Sequence, residues 1–538
     1  MASLSNLLHL IFWLYFVGHS SISVALQGLV SINGTAPIAE TDNDFVCATI
    51  DWWPPEKCDY GTCSWGRASL LNLDLNKPIL LNAIKAFSPL KIRLGGTLQD
   101  KVTYQSYGSL QPCAPFVQKS SEVFGFSQGC LPLARWDQLN DFFKQAGAAV
   151  IFGLNALSGR KIGSDGSVIE AWNSSNAESL LRYTVNKGYP IYGWELGNEL
   201  SGNGVGARIS ADQYAYDISQ LQNLVQVIYK DFKVKPIVMA PGGFLDVNWY
   251  TEFLHKAPYS SLQAVSQHIY NLGPGVATDL VEKILNPSYL DGGLQMFSSL
   301  QNILKSSETS AVSWVSEAGG AWNSGHNHIT NAFVFSFWYL DQLGMASKYD
   351  TKTYCRQSLI GGNYGLLNTN TFLPNPDYYS ALLWHRLMGA KVLSTSFSGT
   401  NKIRAYAHCS KASQGITLLL INLDGNTTVH IQVSTGNAGS NGSLSMQEQN
   451  QTQRKKISRM ASNNELLGIF RQEYHLTAKD GDLHSQTMLL NGVPLSVGST
   501  AAIPDLEPEY NYQSNPIDVG PYSIVFAHMP NVTVPACK

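Results

Sequence analysis

Eight short apolar runs alternate with longer amphipathic segments through most of this chain, and this alternation constrains the fold more than any other feature. The runs, each expected to be a strand, are Phe45–Ile50, Leu90–Leu94, Ala149–Leu154, Ile191–Leu196, Pro236–Ala240, Ala264–Tyr270, Val312–Ser316 and Thr353–Leu359. The segments between and after them, each expected to be a helix, are Ile79–Ala86, Trp136–Ala146, Ala177–Lys187, Ala211–Lys230, Trp249–His255, Gly293–Ser306, Asn331–Leu343 and Tyr378–Met388. Eight strand–helix units predict an α/β chain that forms a (β/α)8 TIM barrel over residues 45–391.

Beyond residue 391 the pattern changes to strands without long helices. Ile416–Ile421 and Thr428–Val433 are typical of half-buried strands, and turns rich in glycine, serine and asparagine separate such runs as far as Tyr522–Phe526. This pattern predicts a C-terminal β-sandwich domain over residues 392–538. Residues 26–44 are expected to add a strand, Gly28–Asn33, to the sandwich. The polar segment Asn437–Lys456 is expected to be an exposed loop.

The composition limits the partners that this chain can have. Charged residues make up 14% of the 538 positions and the formal net charge is −3, which argues against nucleic-acid binding. No run after the first residues reaches about twenty apolar residues, so no transmembrane segment is expected. No CxxC or HExxH spacing is present, so neither a metal nor a cofactor is expected. The sequence does not specify an oligomeric state.

The N-terminus and the sequons predict a secreted glycoprotein. Residues 1–25 are expected to be a signal peptide, because Leu7–Gly18 is apolar and Ser23-Val24-Ala25 offers small residues for cleavage. Six sequons predict glycosylation at Asn33, Asn173, Asn426, Asn441, Asn450 and Asn531.

Eight cysteines are consistent with an oxidising compartment. The expected disulfide pairs are Cys58–Cys63, Cys113–Cys130 and Cys409–Cys537. Cys47 and Cys355 lie on predicted strands and are expected to be buried thiols. Eight cysteines allow about 105 pairings, so other pairings stay open.

Two glutamates lie where predicted strands end. Glu199 follows strand four in the segment Trp194–Leu200, and Glu317 ends strand seven. In a (β/α)8 barrel the carboxyl ends of the strands share one rim, where the chemistry lies. A helix cap or a surface ion pair explains either glutamate alone, but two together are the carboxyl pair of a glycoside hydrolase. A retaining enzyme holds such a pair about 5–5.5 Å apart.

The neighbouring residues suggest a role for each glutamate. Asn198 offers an amide that can bind the sugar 2-hydroxyl, a contact that strengthens in the transition state. This makes Glu199 the acid/base and Glu317 the nucleophile. His268 and Tyr270, at the end of strand six, are expected to orient the nucleophile. Glu195 lies inside strand four and is interpreted as a satisfied charge of the barrel interior.

Three further segments carry a family resemblance: Lys91–Thr97, Ile151–Leu157 and Gly362–Tyr364. Together with Asn198-Glu199, they resemble heparanase and its plant relatives, glycoside hydrolase family 79. The similarity covers nearly the whole mature chain, including the sandwich. It implies an enzyme that cleaves β-linked glucuronic acid with retention, in which Glu199 matches the proton donor and Glu317 the nucleophile.

The resemblance also implies substrate-binding residues. Asp51, Thr97 and Asn198 match positions that line the sugar subsite. Gly362 and Tyr364 match positions that hold the uronate carboxylate through a backbone amide and a phenol. A plain turn would also explain Gly362, and an N-cap would explain Asp51.

The sequence departs from animal heparanase in ways that bear on the substrate. The segment between Asp100 and Trp136 is short and has few basic residues, and no long excisable linker is evident, so cleavage into two chains is not expected. Glucuronic-acid-bearing cell-wall glycans, proteoglycans or small glucuronides are therefore expected as substrates, in preference to heparan sulfate. Two alternatives stay open: a glycosidase for a neutral sugar, and a catalytically silent wall-binding protein. The expected location is the cell wall or extracellular space, with lysosome or vacuole, and peripheral membrane association, as alternatives.

Overall fold

Eight parallel strands close into a barrel in the computed structural model, which describes residues 25–106, 108, 112–436 and 470–538. The barrel strands, numbered one to eight below, are Val46–Ile50, Lys91–Leu94, Ala149–Leu154, Gly193–Leu196, Ile237–Gly243, Ala264–Ile269, Val312–Ala318 and Thr353–Arg356. Neighbours in the ring follow chain order, and strand eight pairs with strand one. The eight predicted strands and the barrel are thus confirmed, with some ends displaced by a few residues.

Helices follow the strands and cover the barrel. The longer ones are Pro78–Lys85, Leu133–Ala146, Ser175–Asn186, Ala211–Ile228, Val247–Lys256, Leu294–Ser306, Phe335–Lys348 and Pro376–Leu387, with short helices at Leu280–Ile284 and Pro287–Asp291. Turns of 3₁₀ helix occur at Thr97–Lys101, Val123–Gly125, Gly362–Tyr364, Lys479–Gly481 and Pro535–Cys537. Small two-stranded sheets pair Val102–Tyr104 with Gly129–Leu131, Lys161–Ile162 with Val168–Ile169, and Gly273–Pro274 with Ala321–Trp322.

A twelve-stranded sheet system forms the second layer of the molecule. Its strands are Leu26–Asn33, Ala39–Glu40, Met388–Ser398, Ile403–Ser410, Ile416–Asn422, Val429–Thr435, Phe470–Ala478, Met488–Leu490, Val493–Pro494, Glu509–Tyr512, Ile517–Val519 and Ile524–Met529. Strand Met388–Ser398 pairs with Ile403–Ser410 through its first half and with Leu26–Asn33 through its second half. This long strand therefore belongs to both sheets of the sandwich. The predicted domain boundary at residue 391 falls inside it.

One strand of the sandwich is more deeply buried than its sequence pattern indicated. All seven residues of Ile416–Asn422 are buried, whereas the pattern predicted a half-buried strand. Leu418 and Leu420 pack in the sandwich core, but Leu419 and Ile421 pack into the large cluster shared with the barrel. Because both faces of the strand contact apolar layers, its side chains do not alternate between core and solvent. Strand Val429–Thr435 is half-buried as predicted.

Helix Phe335–Lys348 lies between the barrel and the sandwich, and all but its last residue are buried. Asp341 accepts hydrogen bonds from Arg404 at 2.7 Å and from the Tyr406 hydroxyl at 2.6 Å, which ties the helix to the sandwich. A Cβ atom on Gly344 would lie 2.5 Å from the Tyr406 ring, so only glycine permits this close approach. The two domains are therefore packed through a shared core.

All eight cysteines are paired, and this corrects the sequence interpretation at one pair. The three expected disulfides, Cys58–Cys63, Cys113–Cys130 and Cys409–Cys537, are present. Cys47 and Cys355, expected to be thiols, form a fourth disulfide across 308 residues of chain. The reason is barrel closure: strand eight pairs with strand one, which places these two residues directly opposite each other.

Several predicted features lie outside the described residues. They are residues 1–24 of the predicted signal peptide, the segment Asn437–Lys456, and the sequons at Asn441 and Asn450. Asn33, Asn173, Asn426 and Asn531 are exposed. None of the helices in the described part of the chain has the length and apolar character needed to cross a bilayer.

Candidate active site

A cavity of about 390 Å³, termed here the glutamate cavity, opens where the barrel strands end. Its lining includes six of the predicted site residues: Asp51, Thr97, Glu199, Tyr270, Glu317 and Tyr364. The strand ends deliver most of them, because Asp51 follows strand one, Tyr270 follows strand six and Glu317 lies at the end of strand seven. Residues far apart in sequence therefore meet at the carboxyl-terminal rim of the barrel.

The two glutamates face each other across this cavity. One carboxylate oxygen of Glu199, one of Glu317 and a ring nitrogen of His268 all lie within 4.8 Å of one another. Glu199 has a φ of +56°, in the left-handed region that residues other than glycine rarely adopt. Its backbone N–H donates to the Gly242 carbonyl at 2.7 Å, which helps to hold this conformation. Strained backbone of this kind is concentrated at functional sites.

Arg93, on strand two, contacts the ends of strands four and seven, which carry the two glutamates. It also contacts a third glutamate, Glu195. Its fully buried guanidinium donates through Nε to Glu195 at 2.5 Å, through Nη1 to Glu317 at 2.8 Å and through Nη2 to Asn198 Oδ1 at 2.8 Å. Glu195 is thus a satisfied interior charge, as its position inside strand four indicated. The sequence interpretation assigned no site role to Arg93, although it lies within the quoted segment Lys91–Thr97.

His268 and Tyr270 contact different glutamates. The Tyr270 hydroxyl donates to Glu317 Oε1 at 2.6 Å, so Tyr270 contacts the glutamate that it was expected to orient. His268 was also expected to orient Glu317, but its Nδ1 lies 3.0 Å from Glu199 Oε1 and its Nε2 lies 3.1 Å from the Ser316 hydroxyl. His268 is opposite Glu317 in the pairing of strands six and seven, yet its ring reaches Glu199, a contact that strand register alone does not reveal.

Burial changes the protonation of several groups in the cavity. Burial raises the pKa of Glu199 to about 7, and the nearby positive charge of Arg93 only partly opposes this. Burial and the negative charge of Glu317 raise the pKa of Asp51 to about 7. Burial lowers the pKa of His268 to about 4, so its ring is neutral near neutral pH. Two carboxyl groups of this cavity therefore hold protons below about pH 7.

Asn198 is held through its side-chain oxygen and its backbone N–H, while its amide nitrogen bonds to no residue in the part of the chain that the structure describes. Its Oδ1 accepts from Arg93, and its backbone N–H donates to Asp100 Oδ2 at 2.8 Å. Asp100 also accepts from the backbone N–H of Ala156 at 2.7 Å, so one buried carboxyl group fixes the ends of strands three and four. The sequence interpretation missed Asp100, because a side chain that binds only backbone N–H groups does not produce a recognisable sequence motif.

Asp51 lies against the glycine pair that follows strand two. Its Oδ1 accepts from the backbone N–H of Trp52 at 2.6 Å, and its Oδ2 accepts from Gln357 Nε2 at 3.1 Å. A Cβ atom on Gly96 would lie 2.3 Å from Asp51 Oδ2, and Gly96 has a φ of +102°. Only glycine therefore fits at this position, which explains one residue of the segment Lys91–Thr97 that carries the family resemblance.

The two residues expected to hold a uronate carboxylate occupy different cavities. Tyr364 lines the glutamate cavity, whereas Gly362 lines a neighbouring one. They remain close, because a Cβ on Gly362 would lie 2.8 Å from the Tyr364 ring. Asp51, Thr97, Asn198, His268, Tyr270 and Tyr364 therefore lie near the glutamates, whereas Gly362 lies next to Tyr364 in the wall of the neighbouring cavity.

The loop after strand one supplies site residues that the sequence interpretation missed. Lys57 lines the glutamate cavity, where its Nζ lies 2.8 Å from Asp59 and 4.6 Å from the centre of the Trp53 ring. Asp59 accepts from the Ser324 hydroxyl at 2.5 Å, and Ser324 accepts from Trp65 Nε1 at 2.9 Å. Within this loop, the sequence predicted only the Cys58–Cys63 disulfide.

Glu199, His268 and Glu317 are also close enough to offer ligand atoms to a metal ion. However, both oxygens of Glu317 accept hydrogen bonds, one from Tyr270 and one from the Arg93 guanidinium. A dication between the glutamates would lie beside that guanidinium and would be repelled by it. The donor set fits a proton and a sugar hydroxyl better than a metal ion.

Comparison with known proteins agrees with this geometry. Residues 27–344 match the family described as glycosyl hydrolase family 79, N-terminal domain. The chain belongs to glycosyl hydrolase family 79. It is therefore a glycoside hydrolase, and the resemblance inferred from its motifs is confirmed.

Two of the relatives match this family-79 chain along nearly its whole length. Heparanase-like protein 3 from Arabidopsis thaliana is 60% identical over 522 residues, covering 96% of each chain. Baicalin-beta-D-glucuronidase from Scutellaria baicalensis is 43% identical over 518 residues, covering 93% of this chain and 92% of that protein. The crystal structure of a 4-O-alpha-L-rhamnosyl-beta-D-glucuronidase from Fusarium oxysporum shares the fold, with a TM-score of 0.61 at 15% identity over 93% of this chain and 100% of that one.

The contacts of Arg93 generate a stability prediction. Arg93→Gln leaves Glu195 and Glu317 buried without their cation, so the free energy of unfolding is expected to fall by about 3–5 kcal/mol. Urea or thermal denaturation measures the change. Arg182→Gln is the matched control, because Arg182 pairs with Glu178 on an exposed helix face and its loss is expected to cost about 1 kcal/mol or less. Equal losses in the two variants would contradict the role assigned to Arg93.

Proposed function

We propose that this protein is a retaining β-glucuronidase that cleaves β-linked glucuronic acid from glycans or small glucuronides by double displacement. The observation that carries the proposal is the pair of carboxyl groups, with oxygens within 4.8 Å of each other and with unlike surroundings. Retaining glycosidases hold their two carboxyl groups about 5–5.5 Å apart, whereas inverting enzymes separate them by roughly 6.5–9.5 Å.

Glu199 is assigned as the acid/base. Its pKa of about 7, raised by burial, keeps it protonated in acid. In the tautomer that carries its proton on Nδ1, the neutral His268 ring donates to Glu199 Oε1, and the other oxygen then carries the proton toward the glycosidic oxygen. After the leaving group departs, the same carboxylate takes a proton from the attacking water.

Glu317 is assigned as the nucleophile. Hydrogen bonds from Arg93 and Tyr270 stabilise its carboxylate and aim it at the sugar. A Glu317 oxygen forms a bond to the anomeric carbon as the glycosidic bond breaks, and water later displaces the glutamate, so the product keeps its configuration. The amide nitrogen of Asn198, which makes no hydrogen bond to a described residue, binds the 2-hydroxyl during both steps of this mechanism.

The charge balance of the glutamate cavity supports an anionic sugar in acid. Protonation of Asp51 and Glu199 removes two negative charges from the lining below about pH 7. The Tyr364 phenol then remains as a donor for a carboxylate, together with the Lys57 ammonium group, which is paired with Asp59. Burial raises the pKa of Tyr364 well above its usual value, so its hydroxyl keeps the proton that it donates. The relative from Scutellaria baicalensis is named as a glucuronidase of baicalin, which also supports this assignment.

A secreted glycoprotein is the proposed form of the mature protein. The apolar segment Leu7–Gly18 and the eight paired cysteines support secretion, with the extracellular space or cell wall as the destination. Asn33, Asn173, Asn426 and Asn531 are exposed, as glycan attachment requires. Mass mapping of protein from the culture medium should find an N-terminus near residue 26 and glycans at these positions. An intact N-terminal leader on secreted protein, or unmodified sequons throughout, would contradict this proposal.

Hydrolysis of an aryl β-glucuronide tests the catalytic assignment. The wild type is expected to cleave it in acid, with kcat/KM falling as pH rises through about 7, because Glu199 loses its proton there. Glu199→Gln should lower kcat about 10²–10⁴-fold for substrates with poor leaving groups and by a smaller factor for substrates with good ones. In this variant kcat/KM should no longer fall as the pH rises. Glu317→Gln should lower kcat roughly 10⁴-fold or more for every substrate.

The control is Glu252→Gln, which alters an exposed carboxylate on helix Val247–Lys256 and should leave kinetics unchanged. Undiminished hydrolysis by Glu317→Gln would show that Glu317 is not the nucleophile. Faster cleavage of an aryl xyloside or arabinoside than of the glucuronide would instead favour a neutral sugar as substrate. A wild type inactive on all three would favour a wall-binding protein.

A further inference from the structure

The loop after strand one folds back on itself as a hairpin, residues 57–65, which is termed here the cysteine hairpin. Asp59 and Thr62 exchange both of their backbone hydrogen bonds, at 2.8 Å and 2.9 Å, on either side of a tight turn. The Cys58–Cys63 disulfide joins the residues immediately outside that pair. The disulfide therefore closes the base of the turn.

The cysteine hairpin forms part of the wall of the glutamate cavity. Lys57, Asp59 and Trp65 line that cavity. Ser324, in the loop after strand seven, donates from its hydroxyl to Asp59 Oδ2 at 2.5 Å and accepts from Trp65 Nε1 at 2.9 Å. The hairpin is therefore bonded to the loop that follows the strand carrying Glu317, although none of its described residues hydrogen-bonds to Glu317 itself.

The loop after strand seven contains strained backbone that the cysteine hairpin supports. Asn323 and Ser324 have φ values of +55° and +69°, so two consecutive residues other than glycine adopt the left-handed conformation. Such residues cost conformational energy and persist only where surrounding contacts hold them. The hairpin supplies two of those contacts, because Asn323 Nδ2 donates to the Tyr60 hydroxyl at 3.2 Å and Ser324 donates to Asp59. Since Asn323 and Ser324 also line the glutamate cavity, the hairpin helps to set the shape of its wall.

The hairpin disulfide is more accessible than the other three. Cys58 and Cys63 are both exposed. An attacking thiolate must reach a sulfur atom, so exposed disulfides exchange more readily than buried ones. The other pairs are half-buried or buried: Cys113–Cys130, Cys409–Cys537 and Cys47–Cys355.

The hairpin disulfide also closes the shortest loop. Its cysteines are separated by 5 positions in sequence, whereas those of the other disulfides are separated by 17, 128 and 308. A disulfide restricts the unfolded chain less when the loop it closes is shorter, so its loss costs the fold less. Reduction at this position therefore loosens the hairpin and leaves the barrel folded.

We propose that the Cys58–Cys63 disulfide is a site of reversible thiol–disulfide exchange that controls substrate binding in the glutamate cavity. The reductant is a dithiol. One of its thiolates attacks a hairpin sulfur and breaks the S–S bond, which gives a mixed disulfide, and its second thiol then displaces that sulfur. The dithiol leaves as a disulfide, and its two electrons and two protons end on Cys58 and Cys63.

The effect of reduction follows from the contacts of the hairpin. Without its covalent closure, the hairpin no longer holds Asp59 and Tyr60 against Ser324 and Asn323, and the loop after strand seven relaxes from its left-handed conformation. The wall of the cavity then fits the substrate less well. Because the hairpin bonds to neither glutamate, the loss falls on binding more than on the chemical step. This inference rests on the proposed glucuronidase function and adds a means of regulating it.

The first part of the test identifies the exchanging cysteines without relying on activity. The folded protein is treated with increasing dithiothreitol, new thiols are blocked with iodoacetamide, and the blocked cysteines are identified by peptide mass mapping. Cys58 and Cys63 should be alkylated under conditions that leave the other three disulfides intact. Hydrogen exchange should then become faster in residues 57–65 and 319–325 and stay unchanged in the barrel strands.

The second part measures hydrolysis of an aryl β-glucuronide. Reduction should raise KM about threefold to tenfold, as expected for the loss of one or two hydrogen bonds, while kcat changes by less than about twofold. Reoxidation with glutathione disulfide should restore KM. Cys58→Ser/Cys63→Ser should show the KM of the reduced wild type and no response to dithiothreitol. The matched control, Cys113→Ser/Cys130→Ser, should keep the wild-type KM and its response. If the first variant does not fold, the reduced wild type supplies the same comparison.

Each outcome supports or overturns the proposal. Reduction of another disulfide before Cys58–Cys63, or an unchanged KM after the hairpin is reduced, would overturn it. A wild type that hydrolyses no glucuronide would refute the proposed function instead. In that case the alkylation and hydrogen-exchange results still decide whether reduction releases the hairpin, and unchanged exchange in residues 57–65 and 319–325 would show that it does not.

Discussion

The buried guanidinium of Arg93 is the interaction on which the rest of the site depends. It has no exposed surface and binds three oxygens, which come from Glu195 and Asn198 at strand four and from Glu317 at strand seven. A buried cation is tolerated only when its partners are in place, because an unpaired charge in the interior is very costly. The same side chain therefore contacts strands four and seven of the barrel and holds Glu317 in place. The fold and the site are coupled through this side chain.

The same arrangement gives two identical side chains different chemistry. Glu317 accepts hydrogen bonds from the Arg93 guanidinium and the Tyr270 phenol. Glu199 hydrogen-bonds to a neutral imidazole in a buried position, and burial raises its pKa to about 7. In the proposed mechanism, Glu317 attacks the sugar and Glu199 donates the proton. This division of roles is set by environment, since the residue types are the same.

Local sequence patterns predicted the barrel, most of its elements and both glutamates. The reason is that a strand and a helix each leave a period in the sequence, and strand ends in such a barrel share one rim. The family motifs added Asp51, Thr97 and Asn198. Only Asn198 had an independent physical argument, from the amide that precedes Glu199.

The features that the sequence did not reveal depend on contacts between distant elements. The Cys47–Cys355 disulfide requires strand eight to lie beside strand one, which is known only once the ring is closed. The partner of His268 depends on how far its ring reaches across the barrel, not on its register. Strand Ile416–Asn422 is buried on both faces because the barrel covers one of them. Each of these outcomes is decided by tertiary packing, which leaves no periodic pattern.

The central claim is that Glu317 forms a covalent bond to the sugar while Glu199 manages the proton. Incubation with an activated 2-deoxy-2-fluoro β-glucuronide, followed by peptide mass mapping, tests this most directly, because the fluorine slows release of the intermediate. The account predicts time-dependent inactivation and a glucuronosyl adduct on Glu317, with none formed by Glu317→Gln. An adduct on another residue, or catalytic turnover of the β-glucuronide with inversion of the product, would contradict it.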